Sequence, residues 1–124
     1  MKYVLITLSF VLAFCLNVAA QCAPDRATDT PYVRICTPLD GEVVASPVHV
    51  TAVGSSVTNG GVIYMQVYID TVWYTTFHAD TIDLKVPLAD GKHRIAVMAH
   101  DKIGAKALKY LYVSVKTPLS VTMT

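Results

Sequence analysis

The clearest alternation of apolar and polar positions in the chain lies at residues 92–101. Its positions 95, 97 and 99 are apolar, and its even-numbered positions are mixed. A period of two predicts a β-strand with one set of side chains on each face. Turn-forming residues bracket the segment, with Asp90-Gly91 before it and Gly104 after it. The pattern therefore predicts a strand at the centre of a sheet, with a core-facing set of Ile95, Val97 and Ala99.

The same period of two recurs along most of the chain, and no helical period appears. Glycine, proline, aspartate and asparagine separate the alternating runs, as expected for turns. Seven strand-like runs at short spacing predict an all-β fold, a sandwich of about seven antiparallel strands. In the third run the alternation assigns Ile63 and Met65 to the core. The runs are 32–35, 48–53, 62–70, 72–77, 81–88, 92–101 and 106–115, with a short edge piece at 43–44.

The first twenty residues have the three-part layout of a secretory signal peptide. Met1-Lys2 supplies a positive start, residues 3–15 are almost entirely apolar, and Ala19-Ala20 provides small residues for cleavage after Ala20. The apolar run is shorter than the ~20 residues that a membrane-spanning helix needs. The sequence therefore predicts export to the periplasm, the cell surface or the extracellular space, without membrane insertion after cleavage.

A chain of 124 residues has room for one domain of ordinary size. The segment after the predicted cleavage point is polar, carries two prolines and has no periodicity, which is typical of an exposed leader. The predicted organisation is a signal peptide at 1–20, an exposed leader at 21–31, an immunoglobulin-like domain at 32–116 and a short C-terminal tail at 117–124.

Two cysteines remain after the predicted cleavage, Cys22 and Cys36. An even pair in an exported chain predicts a disulfide, because disulfides persist in oxidising compartments. Two free thiols are the alternative. A zinc site does not suit two thiols without a nearby histidine.

Charge argues against binding to nucleic acid. Cleavage would remove Lys2 from the ten basic residues and leave nine, against nine acidic residues. A net charge near zero provides no basic field to attract nucleic acid or an anionic membrane.

Five short motifs are distinctive: ICTPLDG at 35–41, SPVHV at 46–50, MQVYID at 65–70, GKHRIAV at 91–97 and AHD at 99–101. Together they resemble the bacterial immunoglobulin-like modules of exported and cell-surface proteins. The resemblance covers about residues 32–116 and implies an all-β, immunoglobulin-like sandwich of about seven antiparallel strands. It leaves the function open, since such modules serve as spacers, adhesin units and accessory domains of enzymes. The sequence departs from the modules at Thr71, where glycine is frequent, and at His100, where tryptophan is frequent.

No catalytic motif stands out. The chain lacks a nucleophile elbow, a glycine-rich phosphate loop and zinc-ligand spacing. Glu42 is the only glutamate, so a paired-carboxylate hydrolase would rest on aspartates alone. The sequence therefore predicts neither an enzyme nor a cofactor.

Several aspartates fall at the ends of predicted strands. Their positions are compatible with calcium binding and equally with turn formation, so both interpretations stay open. These residues are Asp70, Asp80, Asp83, Asp90 and Asp101.

The predicted outward faces of three strands carry many aromatic and cationic side chains. In an immunoglobulin-like order, the runs at 62–70 and 106–115 flank the run at 92–101 and share one sheet face with it. Tyrosine and arginine are enriched where proteins bind partners. Tyrosine also has a high propensity for β-strands, so a binding face and a purely structural role both stay open. The candidate binding set is Tyr64, Tyr68, Arg94, Met98, His100, Tyr110 and Tyr112.

The preferred hypothesis is a non-catalytic, exported binding or structural module. It would contact another protein, or a second copy of itself, through the aromatic sheet face. Carbohydrate binding is the alternative, since aromatic rings stack on sugars and Trp73 in the adjacent hairpin could extend such a platform. A secreted hydrolase is the least favoured class, because no catalytic constellation is visible.

Overall fold

Two β-sheets packed face to face make up the part of the chain that the computed structural model describes, residues 22–24 and 31–118. The sheets have the strand orders β1-β3-β6 and β2-β8-β7-β4-β5. This confirms the all-β, immunoglobulin-like sandwich. The predicted edge piece is the short strand β2, which pairs with β8 in parallel, whereas the other strand pairs are antiparallel. The strands are β1 (Tyr32–Thr37), β2 (Val43–Val44), β3 (Val48–Ser55), β4 (Val62–Ile69), β5 (Val72–Phe77), β6 (Thr81–Val86), β7 (Gly91–Asp101) and β8 (Lys106–Val115).

The predicted signal peptide, and most of the predicted leader and tail, lie outside the described residues. Cys22 is joined to Cys36 by a disulfide, as predicted. Arg34 Nη1 donates a hydrogen bond to the carbonyl oxygen of Ala23 at 3.1 Å. These two links hold residues 22–24 against β1. Within the described part of the chain, no helix is present that could span a membrane.

The strand predicted at 92–101 is β7, and it lies between β4 and β8 in the five-stranded sheet. Ile95 stands opposite Ile69 on β4 and Leu111 on β8. Ile95, Val97 and Ala99 have no exposed surface, as the alternation predicts. They form one core with valines of the three-stranded sheet.

The start of β4 differs from the prediction. The alternation assigns Ile63 to the core, but Ile63 is 47% exposed and Val62 packs against the core instead. The register between β4 and β7 shifts between Val62 and Tyr64. Such a bulge inserts one residue and exchanges the faces on either side of it. Met65, beyond the bulge, is fully buried as predicted.

The buried carboxylate of Asp101 joins the loop between β3 and β4 to the turn after β7. One oxygen accepts hydrogen bonds from Ser56 Oγ at 2.9 Å and Asn59 Nδ2 at 2.7 Å. The other accepts from the amides of Ile103 at 3.1 Å and Ala105 at 2.8 Å. Burial alone would raise the pKa of Asp101, but these hydrogen bonds stabilise the carboxylate and lower it. Asp101 is therefore a connector between two loops as well as a turn residue.

Candidate functional site

The outer face of the five-stranded sheet brings together the seven side chains predicted as a binding set. Strands β4, β7 and β8 lie side by side, and their registers arrange the outward positions in rows. Ala96 and Leu108 also belong to this surface. We call it the tyrosine face, formed by Tyr64, Gln66, Tyr68, Lys92, Arg94, Ala96, Met98, His100, Lys106, Leu108, Tyr110 and Tyr112.

The members of the tyrosine face differ in their accessibility. Tyr110, Tyr112 and Leu108 are exposed, whereas only 7% of His100 is exposed. The His100 ring stacks on Tyr64 with 4.1 Å between ring centroids. Burial, and then the charge of Lys106, lower the pKa of His100. His100 therefore belongs to the floor of the face, and the accessible part lies on β8.

Gln66 fixes two of these aromatic side chains. Its Oε1 lies 3.0 Å from Nε2 of His100 and accepts a hydrogen bond from the Tyr68 hydroxyl at 3.1 Å. An amide oxygen only accepts, so Nε2 of His100 carries the proton. The rings therefore have defined orientations, which reduces the entropy that a binding partner would have to remove.

Cations cover two of the exposed tyrosine rings. The Arg94 guanidinium carbon lies 4.2 Å from the centre of the Tyr110 ring. Lys92 Nζ lies 4.8 Å from the centre of the Tyr112 ring. The ring faces attract cations electrostatically. One face of each ring is therefore already occupied, and the two rings meet edge to face at 6.1 Å.

The tyrosine face carries positive charge although the chain as a whole is nearly neutral. Lys92, Arg94 and Lys106 occupy outward positions of β7 and β8. In the described parts of β4, β7 and β8, no outward position is aspartate or glutamate. The formal net charge of the full chain is only +1. The outward strand positions of the face are therefore cationic, while the carboxylates of Asp40 and Asp70 bind the backbone amides of Tyr112 and Arg94.

A small depression lies in the tyrosine face. Its volume is about 140 Å³. In the strand register, Ala96 stands between Tyr68 on β4 and Tyr110 on β8. A methyl side chain between two tyrosines leaves room for the depression. The lining residues are Tyr68, Thr71, Arg94, Ala96, Met98 and Leu108.

The turn between β4 and β5 forms one rim of the depression. Asp70 and Thr71 have φ values of 50° and 70°, a conformation that is uncommon for a β-branched residue such as threonine. Asp70 holds the turn to β7, because its amide donates to the Arg94 carbonyl at 2.8 Å and its Oδ1 accepts from the Arg94 amide at 2.8 Å. The positive φ at position 71 accounts for the glycine that is frequent there in the modules that the sequence resembles.

His93 adds an ion pair to this turn. Its Nδ1 lies 2.6 Å from Asp70 Oδ2, and its Nε2 lies 2.7 Å from the Ala89 carbonyl oxygen. Both partners are acceptors when Asp70 is ionised, so both ring nitrogens carry protons and the ring is charged. The hydrogen bond to Asp70, followed by that to Ala89, raises the pKa of His93. The alternation pattern does not indicate this pair, because Asp70 lies in the turn after β4 and His93 lies on β7.

The His93 pair makes the stability of the fold depend on pH. Below the ordinary histidine pKa of 6.5, the ring is protonated in both the folded and unfolded states and the pair contributes fully. As the pH rises through the higher pKa of the folded state, that contribution is lost. We expect the free energy of unfolding of the wild type to fall across this window relative to that of His93→Gln, as measured by urea denaturation.

Comparing the wild type with His93→Gln separates the effect of His93 on stability from that of His100. The lowered pKa of His100 acts in the opposite sense, since it reduces stability as the pH falls below 6.5. His100 is present in both proteins, so its effect cancels in the difference. Parallel stability curves for wild type and His93→Gln between about pH 6 and pH 9 would contradict the charged pair.

The other histidines and aspartates are dispersed. His49 pairs with Asp83 at 2.6 Å on the three-stranded sheet, where both side chains are exposed. Asp90 accepts hydrogen bonds from the amide and hydroxyl of Thr117. Over residues 22–24 and 31–118, no three side chains of His, Cys, Asp or Glu lie close enough to hold a metal ion.

Trp73 lies at the β5 side of the tyrosine face. It stands opposite Tyr68 in the ladder between β4 and β5, and more than half of its surface is exposed. Its indole N–H donates to the Thr76 hydroxyl at 3.1 Å. The structure thus places Trp73 beside Tyr68, where the sugar-binding alternative needs it.

Comparisons with solved structures agree on the fold. The chain is similar to fibronectin(III)-like modules of CbhA from Clostridium thermocellum, with a TM-score of 0.60 and 20% identity over 74% of this chain and 50% of that one. It is similar to an endo-β-1,4-mannanase from Thermotoga petrophila, with a TM-score of 0.56 and 16% identity over 74% of this chain and 21% of that one. For a β-glucuronidase from Bacteroides uniformis, the TM-score is 0.55 and the identity 13%, over 73% of this chain and 11% of that one.

These matches concern the sandwich architecture, which fibronectin type III and immunoglobulin domains share. The chain spans half or less of the length of each of the three structures. No protein-family model matches the chain, and no curated protein matches it.

Proposed function

We propose that this immunoglobulin-like module is a non-catalytic binding protein whose tyrosine face docks onto an acidic surface of another protein. The observation that carries the proposal is the tyrosine, methionine and arginine content of an open sheet face whose outward strand positions include cations and no carboxylates. Aromatic residues, methionine and arginine are enriched in protein interfaces. Complementary charge would then orient the partner.

The same charges favour a different protein over a second copy of this chain. A symmetric contact places the same patch on both partners. Two tyrosine faces would bring Lys92, Arg94 and Lys106 of one copy against the same cations of the other. Like charges across an interface are unfavourable, so we expect the isolated chain to be monomeric by light scattering.

Two of the four histidines, His93 and His100, have structural tasks, which supports a non-catalytic role for them. His93 uses both ring nitrogens in the turn that it holds. His100 is covered by the stack with Tyr64. Neither is free to exchange a proton with a substrate in this arrangement.

We also propose that the module works outside the cytoplasm, in the periplasm, at the cell surface or beyond. The layout of residues 1–20 is that of a signal peptide. The disulfide between Cys22 and Cys36 suits an oxidising compartment. Both observations support export independently of the tyrosine face.

Site-specific crosslinking in the native host tests the contact. A photoreactive amino acid at Leu108, exposed within the tyrosine face, should crosslink to a distinct protein with an acidic surface. The combined change Tyr110→Ser and Tyr112→Ser should weaken binding of that purified partner by at least about tenfold, because aromatic side chains at interface centres carry much of the binding energy. Raising the salt concentration should weaken it further.

Two controls separate this contact from general adhesion. A photoreactive group at Lys85, exposed on the three-stranded sheet, should not capture the same protein. Tyr74→Ser removes a tyrosine as exposed as Tyr112, 41% against 40%, but outside the tyrosine face. Equal capture from both positions, or equal losses from Tyr74→Ser and the double variant, would count against the proposal.

Carbohydrate binding is the second candidate, because Trp73 and Tyr68 are neighbours at one side of the face. A glycan array would report it directly. A specific signal that Trp73→Ala abolishes would favour sugar binding over the protein contact. An array without signal, or with signal indifferent to Trp73→Ala, would remove the sugar hypothesis.

A further inference from the structure

The depression in the tyrosine face combines one cation with an apolar floor. Arg94 supplies the cation, and Thr71 belongs to the same lining. Ala96 and Met98 on β7 and Leu108 on β8 provide apolar surface. A concave site of this composition fits a group that has a short aliphatic stem and a negative end.

The Arg94 side chain itself has an unsatisfied donor. Its Nε exposes less than 1 Å² and has no hydrogen-bond acceptor within the described residues. A buried donor without an acceptor is destabilising, and most such groups in proteins are paired. The guanidinium is otherwise held by its contact with the Tyr110 ring. An anion that engaged Nε would therefore satisfy a group that the resting arrangement leaves unpaired.

We propose that the depression is an anchoring pocket that receives a glutamate side chain of the protein partner. Arg94 turns from the Tyr110 ring and pairs side-on with the carboxylate, donating from Nε and one Nη. Such bidentate pairs are among the strongest hydrogen-bonded contacts in proteins. The inference rests on the proposed function, because it assumes that a protein docks on this face.

The size of the depression favours a single side chain. Sites for small molecules and cofactors have volumes of about 300–1,000 Å³, whereas this depression has about 140 Å³. A glutamate has two methylene groups that can lie on Ala96 and Met98 while its carboxylate reaches Arg94. A sugar ring or a nucleotide would extend beyond the depression.

Lys92 provides a matched internal control. It also lies over a tyrosine ring on the same face, at 4.8 Å from the centre of Tyr112. It does not line the depression. Loss of Lys92 removes the same charge as loss of Arg94 and leaves the pocket intact.

The test uses N-acetyl-glutamate N-methylamide as a probe and its glutamine counterpart as a neutral control. In nitrogen-15 NMR spectra at low salt, the glutamate probe should shift the Arg94 Nε–Hε signal and the amide signals of Thr71 and Ala96. The shifts should saturate with a dissociation constant on the order of millimolar, as expected for so small a ligand. The glutamine counterpart should give no saturable shift.

Two variants refine the test. Arg94→Gln removes both the charge and the planar guanidinium fork, so the probe should bind about tenfold more weakly or not at all. Lys92→Gln should leave the dissociation constant within about twofold of the wild type, because exposed charges interact weakly. Equal effects of the two changes would show attraction by general charge and would overturn the pocket.

Other outcomes also decide the matter. No saturable shift at Arg94 with the glutamate probe would overturn the proposal. Tighter binding of D-glucuronate than of the glutamate probe would also overturn it, because it would assign the depression to an acidic sugar.

The Leu108 crosslink is a separate readout. If it persists while the probe fails, the contact stands and the anchor is wrong. If the probe binds while no crosslink depends on Tyr110 and Tyr112, the carboxylate site stands and its assignment to a protein partner is wrong.

Discussion

Replacing Ile95 with alanine is expected to lower the free energy of unfolding by about 2–5 kcal/mol. Ile95 has no exposed surface and lies on β7 between Ile69 and Leu111. The change removes buried apolar groups and leaves a cavity between the two sheets. The surrounding strands are fixed by their ladders and can close it only partly.

An exposed isoleucine supplies the control. Ile103 lies in the turn between β7 and β8 and is 71% exposed. The same change there, Ile103→Ala, should alter stability by no more than about 0.5 kcal/mol. Urea denaturation followed by circular dichroism measures both variants. A loss for Ile95→Ala no larger than that for Ile103→Ala would contradict the assignment of β7 to the centre of the core.

Which side chains of β7 point into the core could be predicted, because this depends on the local alternation alone. A slip of one residue would move Ile95, Val97 and Ala99 to the other side of the sheet, so the sequence specifies the register strongly. The turn residues at both ends are local signals as well. The strand order followed from the resemblance to immunoglobulin-like modules, and it brought the seven predicted side chains onto one face.

The bulge at the start of β4 could not be predicted in the same way. Val62 and Ile63 are both β-branched and apolar, so composition does not decide which of them enters the core. The choice depends on how β4 pairs with β7, and the register shift lies in that pairing. A period of two assumes an unbroken ladder and therefore misplaces Ile63.

The candidate site was predictable as a set of residues but not as a shape. Alternation places Arg94, Met98 and His100 on one face without indicating that Tyr64 covers His100. The depression exists because Ala96 is small and stands between two larger rings on different strands. The pairing of His93 with Asp70 likewise joins residues that are 23 positions apart. Such features arise from side-chain packing between strands, which a one-dimensional pattern does not contain.

Removing the disulfide is the second change with a large expected effect. The combined change Cys22→Ser and Cys36→Ser should lower the free energy of unfolding by about 3 kcal/mol, the value expected for a closed loop of about 15 residues. The two cysteines are 14 positions apart. The crosslink restricts the unfolded chain, and its loss increases the entropy of that state. In the folded state, the hydrogen bond from Arg34 to Ala23 would still join residues 22–24 to β1.

The location of the disulfide makes this prediction separable from those for the tyrosine face. Cys36 lies on β1 in the three-stranded sheet, whereas the tyrosine face belongs to the other sheet. At temperatures where the double cysteine variant is still folded, the glutamate probe should therefore bind it as it binds the wild type. Dithiothreitol should destabilise the wild type to the level of the variant and leave the variant unchanged. Equal stability of wild type and variant without reductant would mean that the crosslink does not restrain the unfolded chain. Loss of probe binding in the folded variant would mean that the two sheets are coupled.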